Sequence, residues 1–481
     1  MKLIFTYIIS ATIAVNCFAQ TKNSKSSDAL KNESAASIQT GYDDYKKIAL
    51  SIWDYAELGY KENKSSALLQ NTLKDNGFSL EQGVGGMPTA FVATYGSGAP
   101  VIAILAEYDA LPGLSQDKSS IKSPIVNKNS GHACGHHLFG TGSVAAGIAI
   151  KKLLESGKIK GTIKVFGTPA EEGGSGKVYM VRDGLFNGVD IALHWHPSNN
   201  NSVAYTGSLA VKTAKFRFYG VASHASVSPD KGRSALDGVE AMNNMVNMMR
   251  EHVPQESRIH YAITNGGKAP NVVPEFSEVF YYVRHPDKTV VASIFDRVVK
   301  AAEGAALGTE TKVDYEVIAG IHDLLINKTL ATNMQTNLQK VGGVIYSAEE
   351  VKYAHEIQKS FSDTFPSIND AAIISDLHTD KDQGSTDVGD VSYVVPTVGV
   401  ETATWVPGTS PHSWQAVACG GTDIGIKGMV VAAKTMVYTA IDLFTNPELI
   451  RKAKEELKKS QGDYKYKALL GDRKPALTYW D

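Results

Sequence analysis

The chain has 481 residues, 43% of them hydrophobic and 20% charged, with a formal net charge of -2. That length allows two or three domains around ample core, and the composition is that of an ordinary globular protein. The near-neutral charge, without basic runs interleaved with aromatics, argues against nucleic acid as a partner.

Met1–Gln20 starts with Lys2, runs mostly apolar from Leu3 to Val15 and offers small residues around Cys17-Phe18-Ala19. It reads as a secretory signal peptide, residues 1–19, cut after Ala19, so the protein is expected to be exported, periplasmic or secreted. Lipidation at Cys17 is the second reading. No later run reaches the roughly 20 apolar residues a membrane span needs. Cleavage would leave Cys134 and Cys419, too few for a disulfide framework. Residues 20–40, rich in Lys, Ser, Asn and Ala, read as a mobile linker.

Helical periodicity follows over Tyr42–Leu58 and Lys64–Asp75. Apolar runs Thr89–Tyr95 and Val101–Ala106 around Gly96-Ser97-Gly98 suggest a hairpin. Glu107-Tyr108-Asp109 stands directly after the second run, a helix from Leu138 follows, then a strand over Thr162–Phe166 and another near Asp190. The alternation predicts an α/β domain with polar chemistry at the carboxyl ends of its strands. Residues 208–325 read β-α-β-β-α-β, the ferredoxin-like split unit, and look like an inserted second domain. The flanking parts, 41–207 and 326–481, would form one α/β domain plus a tail.

The sharpest signal is Gly131–Gly140, with three histidines and one cysteine between His132 and His137. A lone Cys or His is usually structural. Here Cys134 and His136 lie two apart among glycines, so a loop or irregular first helical turn can aim both at one ion. Near a helix N-terminus Cys134 would also favour the thiolate, the form that binds metal. No second Cys pair exists for a closed zinc site, so further ligands must come from elsewhere. Glu171-Glu172, after a strand and before glycines, suits one carboxylate on metal and one accepting a proton from metal-bound water. Two solvated acids in a loop are the ordinary alternative, which the surrounding motifs outweigh.

Gly131–His136, Pro169–Gly173, Trp195-His196-Pro197 and Gly220–Pro229 with His224 together resemble the metal-dependent amidohydrolases related to carboxypeptidase G, hippurate hydrolase and the auxin-conjugate hydrolases. The resemblance runs in order from about residue 40 to at least 440. It implies an α/β catalytic domain with a central mixed sheet flanked by helices, and an inserted ferredoxin-like α+β lid and dimerisation domain. It implies two divalent ions per subunit, Zn²⁺ or Mn²⁺, held by Cys134, His136, Glu172, His196 and His412, with Glu171 as general base. Counting from Asp190, His196 rather than His194 fits the family spacing. His224 would stabilise the oxyanion from a neighbouring subunit, Asn271 and Arg284 would hold a substrate carboxylate, and Asp109 would orient a ligating imidazole. His137 stands where many relatives carry Asp or Asn. The expected activity is cleavage of an N-acyl or N-aroyl amino acid by metal-activated water, in a homodimer or a heteromer with a related subunit. A dipeptidase or aminopeptidase is the rival within catalysis, and a non-catalytic metal-containing binding protein is the rival outside it.

Overall fold

The computed structural model describes residues 27–203, 205–362, 364–377 and 384–479. The signal peptide reading and Cys17 lie outside the described residues. So does the start of the linker reading, but its remainder is corrected: residues 27–40 form a helix, α1. Its polar composition hides a buried stripe in which Ile38 is packed into the core and Lys31 pairs with Asp442 at 2.6 Å and Asn337 at 2.9 Å. Helices α2 (Tyr42–Tyr55) and α3 (Asn63–Asp75) follow.

The larger sheet has seven strands: β1 (Ser79–Gln82), β2 (Phe91–Ser97), β3 (Val101–Ala106), β4 (Gly161–Gly167), β5 (Ile191–Ser198), β6 (Ser202–Val203) and β11 (Thr397–Ala403). Their spatial order is β1-β2-β4-β3-β5-β11-β6. The four neighbours β4, β3, β5 and β11 are parallel, while the outer pairings are antiparallel. The hairpin expected at Gly96-Ser97-Gly98 does not form, because β4 lies between β2 and β3 and pairs with both. The run Val101–Ala106 is apolar almost throughout, which suits a central parallel strand covered on both faces better than one side of a hairpin.

Helix α4 (His136–Glu155) covers this sheet and is buried on nearly every side through Ile150, so it is a core helix rather than an amphipathic surface one. Its Gly140 allows the approach: a Cβ there would meet the Glu107 carbonyl oxygen at 2.6 Å. Helix α5 (Gly176–Arg182) leads away from the turn after β4.

The chain then builds a four-stranded sheet from β7 (Ala210–Tyr219), β8 (Arg258–Asn265), β9 (Phe276–His285) and β10 (Lys312–Ile321), ordered β8-β9-β7-β10. Helix α6 (Ala235–Met249) joins β7 to β8, and α7 (Lys288–Gly308) joins β9 to β10. This is the ferredoxin-like inserted lid, with its own core around Phe216, Phe218, Val239, Tyr281 and Phe295. Ser234 caps α6 by accepting from the Asp237 N–H, where the sequence placed the helix start.

After the lid, α8 (Lys328–Val341), α9 (Asp423–Thr445) and α10 (Pro447–Gln461) return to the catalytic domain. By length and composition α9 could cross a membrane, but it is buried in the core against α4, α8 and β11. The fold is therefore α/β with a mixed central sheet and an inserted lid.

Candidate metal centre and general base

The carboxyl ends of the parallel strands deliver the chemistry. Glu107 and Asp109 follow β3, Glu171 and Glu172 follow β4, His196 lies near the end of β5, and His412 sits in the loop after β11. Cys134 precedes α4, whose first residue is His136. Gly135 between them has φ 77, a left-handed conformation that glycine adopts without strain, and this turn brings both side chains to one side. The His412 N–H donates to the Ala133 carbonyl at 3.0 Å and docks the later loop on the cysteine turn.

Among the described residues, three overlapping groups of donor atoms gather, each within 4.8 Å of one another: Cys134, His136 and His196; Cys134, Glu172 and His412; Glu107, His136 and Glu171. Cys134 Sγ lies 3.5 Å from His196 Nε2, and Glu172 Oε1 lies 3.1 Å from His412 Nε2. His136 Nδ1 meets Asp109 Oδ1 at 2.9 Å, and Asp109 Oδ2 accepts from the Glu172 N–H at 2.9 Å. Asp109 thus fixes the ring of one donor and the backbone of another.

The arrangement fits a divalent cation. Glu107 Oε2 and His136 Nε2 lie 3.1 Å apart, as do Glu172 Oε1 and His412 Nε2, so these carboxylate and imidazole atoms face one another with no other partner, and buried polar atoms are costly unless something satisfies them. Burial, then the Glu172 carboxylate, pushes the Cys134 thiol up, so a cation is what would favour its thiolate here. Sulfur, imidazole and carboxylate donors together suit a transition-series ion.

Glu171 is the acid-base candidate. Burial, then Glu107, Glu172 and Asp387, hold its carboxyl well above the usual range. Lys177, on α5, answers this concentration of negative charge. Fully buried, it reaches Glu107 Oε1 and Asp387 Oδ1 at 2.7 Å each, and its backbone N–H donates to Asp387 Oδ2 at 2.9 Å. Sequence reasoning noted Glu107 after its strand without giving it a role in the site, and passed over Lys177. The available signals were acidic residues after a buried strand and a lysine within a buried turn after Glu171-Glu172.

The neighbouring histidines have other tasks. His194 packs against Gly399 of β11, where a Cβ would meet its ring at 2.2 Å, and burial lowers it to about 3. His132 Nε2 meets the Ile52 carbonyl and His137 Nε2 the Gly420 carbonyl, each at 3.0 Å. Burial likewise lowers His132 to about 3 and His137 well below its usual value, so both serve as neutral struts.

The lid candidates separate into two sets. Arg284 reaches across to Ser385 Oγ at 3.4 Å and leaves a buried Nε without a partner. His224 and Asn271 are exposed and adjacent: Ala225 donates to the Asn271 carbonyl at 3.0 Å, and His224 Nδ1 accepts from Ser226 and Val227 at 3.3 Å each. His224 belongs to none of the three donor groups.

The chain belongs to peptidase family M20/M25/M40, whose pattern matches residues 103–379, and it is a metal-dependent amidohydrolase. It is 42% identical over 439 residues to one of the subunits of p-aminobenzoyl-glutamate hydrolase from Escherichia coli, covering 86% of this chain and 91% of that one. A Xaa-Arg dipeptidase of Mus musculus is 30% identical over 453 residues, covering 91% and 94%. In structure, the chain resembles a Bacillus subtilis protein described as a dinuclear metal binding peptidase, with TM-score 0.58, 15% identity and coverage of 84% and 99%.

Proposed function

We propose that this chain hydrolyses the amide bond of N-acyl or N-aroyl amino acids, with p-aminobenzoyl-glutamate the first substrate to test. The observation that carries the reading is Glu171 beside a clustered sulfur, nitrogen and oxygen donor set whose imidazole and carboxylate atoms face one another. The 42% identity to a component of p-aminobenzoyl-glutamate hydrolase supports the substrate class.

Cys134, His136, Glu172, His196 and His412 would hold two divalent ions, Zn²⁺ or Mn²⁺. When bound, such ions polarise the amide carbonyl and lower the pKa of water. Asp109 keeps His136 turned toward the centre and holds the backbone of Glu172 in place. Glu171 accepts a proton from the attacking water and later delivers it to the nitrogen of the leaving amine. Its raised affinity for protons favours the second half of that exchange. Arg284, with its buried unpaired Nε, would take the substrate carboxylate, because a guanidinium fork matches that group. Asn271 would assist it. His224 and Asn271 are exposed on the lid, which supports their acting in a dimer, with His224 of one copy stabilising the oxyanion in the other. A heteromer with a related subunit is the second assembly, because the Escherichia coli relative is named as only one component of its hydrolase. The N-terminal segment would direct the protein out of the cytoplasm.

The test is release of amino acid from p-aminobenzoyl-glutamate, N-acyl amino acids and dipeptides by metal-reconstituted protein. Turnover of an N-aroyl or N-acyl amino acid is the expected result. Preference for dipeptides would move the reading toward the mouse relative's named activity. No turnover of any substrate by the metal-loaded chain would overturn it.

A further inference from the structure

The segment after α10 does not trail into solvent. It runs through the junction between the lid and the catalytic domain. Tyr464 OH meets His322 Nε2 at 2.8 Å just beyond β10, and Tyr466 OH donates to Asp390 Oδ1 at 2.8 Å in the catalytic domain. The backbone then passes so close to β10 that a Cβ on Gly320 would lie 2.5 Å from Leu470 N.

Arg473 fastens the two units together. Its guanidinium donates to the Ile318 carbonyl at 2.6 Å and Glu316 Oε1 at 2.8 Å, both on β10, while its own carbonyl accepts from Arg182 of α5 at 2.7 Å. Tyr479 of this segment lies against the loop of the base. A Cβ on Gly173 would sit 3.3 Å from Tyr479 Cε1, and Gly173, with φ 87, directly follows Glu171-Glu172. That loop contains a run of irregular dihedrals, with Ala170 at φ 57 and Ser175 at φ 61. Such a backbone persists only where its surroundings hold it.

We propose that residues 462–479 form a strap that fixes the lid against the catalytic domain and, through Tyr479, clamps the loop of Glu171 and Glu172. Tyr479 is then a positioning residue for the hydrolysis proposed above, on which the kinetic part of the proposal rests. The clamp itself does not depend on that reading.

Hydrogen exchange of backbone amides 168–176 in the metal-free full chain tests the clamp without substrate or metal. In Tyr479→Ala and in Arg473→Ala, exchange should be about tenfold faster, as expected when a local restraint is lost. The double variant should exchange no faster than Tyr479→Ala, since Arg473 acts through Tyr479, and Tyr479→Phe should behave as wild type. Wild-type exchange in either alanine variant, or multiplying effects in the double, would overturn the proposal. Arg473→Lys, which keeps the charge and loses the fork, replaces Arg473→Ala if circular dichroism finds the latter unfolded. With p-aminobenzoyl-glutamate, Tyr479→Ala should lower kcat while KM changes little. If wild type turns over nothing, the functional reading fails and the exchange result stands by itself.

Discussion

Asp109 Oδ1 lies 2.9 Å from His136 Nδ1, and both side chains are fully buried. This contact leaves Nε2 as the nitrogen available to an ion, and the second oxygen of the same carboxylate holds the Glu172 backbone. Asp109→Ala should therefore weaken metal binding about 10- to 100-fold, the usual cost of losing a carboxylate behind a ligating imidazole. Competition against a chromophoric chelator measures it. Unchanged affinity would mean that the ring is oriented by something else.

Lys177 has two carboxylate partners and no exposed surface. Lys177→Met should destabilise the fold by about 3–5 kcal/mol, because it leaves buried carboxylates without their cation. Chemical denaturation of the metal-free protein checks this. Removing both Lys177 and Asp387, as Lys177→Met with Asp387→Leu, should cost less than the sum of the single changes.

Glu62 sits under the turn of Glu171 and Glu172, accepting from the Ala170 N–H at 2.8 Å and from Thr89 Oγ1 at 2.9 Å. Burial, then Asp109, raises it from 4.5 to about 8. A carboxyl with a raised folded pKa binds more protons folded than unfolded, so its contribution is fully present below the unfolded pKa. Stability from this group falls as pH climbs from 4.5 to about 8. Glu62→Gln should flatten that slope and raise stability at pH 8 relative to wild type. Denaturation midpoints at pH 5 and pH 8 test it, and an unaltered slope in the variant would contradict it.

Much of the candidate site was legible because its donors sit in local motifs, at strand ends or, for Cys134 and His136, at the start of α4, on the side where a parallel sheet gathers distant segments. Cys134, His136, Glu171, Glu172, His196 and His412 all converge this way. Lys177 escaped because its partner Asp387 lies 210 positions away and its own neighbourhood is not distinctive. Helix α1 was read as linker because its stabilisation is tertiary, through Ile38 and the Lys31–Asp442 pair, rather than written in its composition. The glycines at 96 and 98 suggested a hairpin since turn residues show where a chain bends but not which strand it bends toward. His224 and Asn271 lie together on the lid, and His224 joins none of the donor groups.

The central claim is that Glu171 moves the proton while other side chains hold the ions. Metal content and p-aminobenzoyl-glutamate hydrolysis should be measured together for wild type and Glu171→Gln. The account predicts two ions per chain in both proteins and a kcat about 10²–10⁴ lower in the variant, the span expected for a lost general acid-base. Wild-type kcat in a fully loaded Glu171→Gln would contradict it.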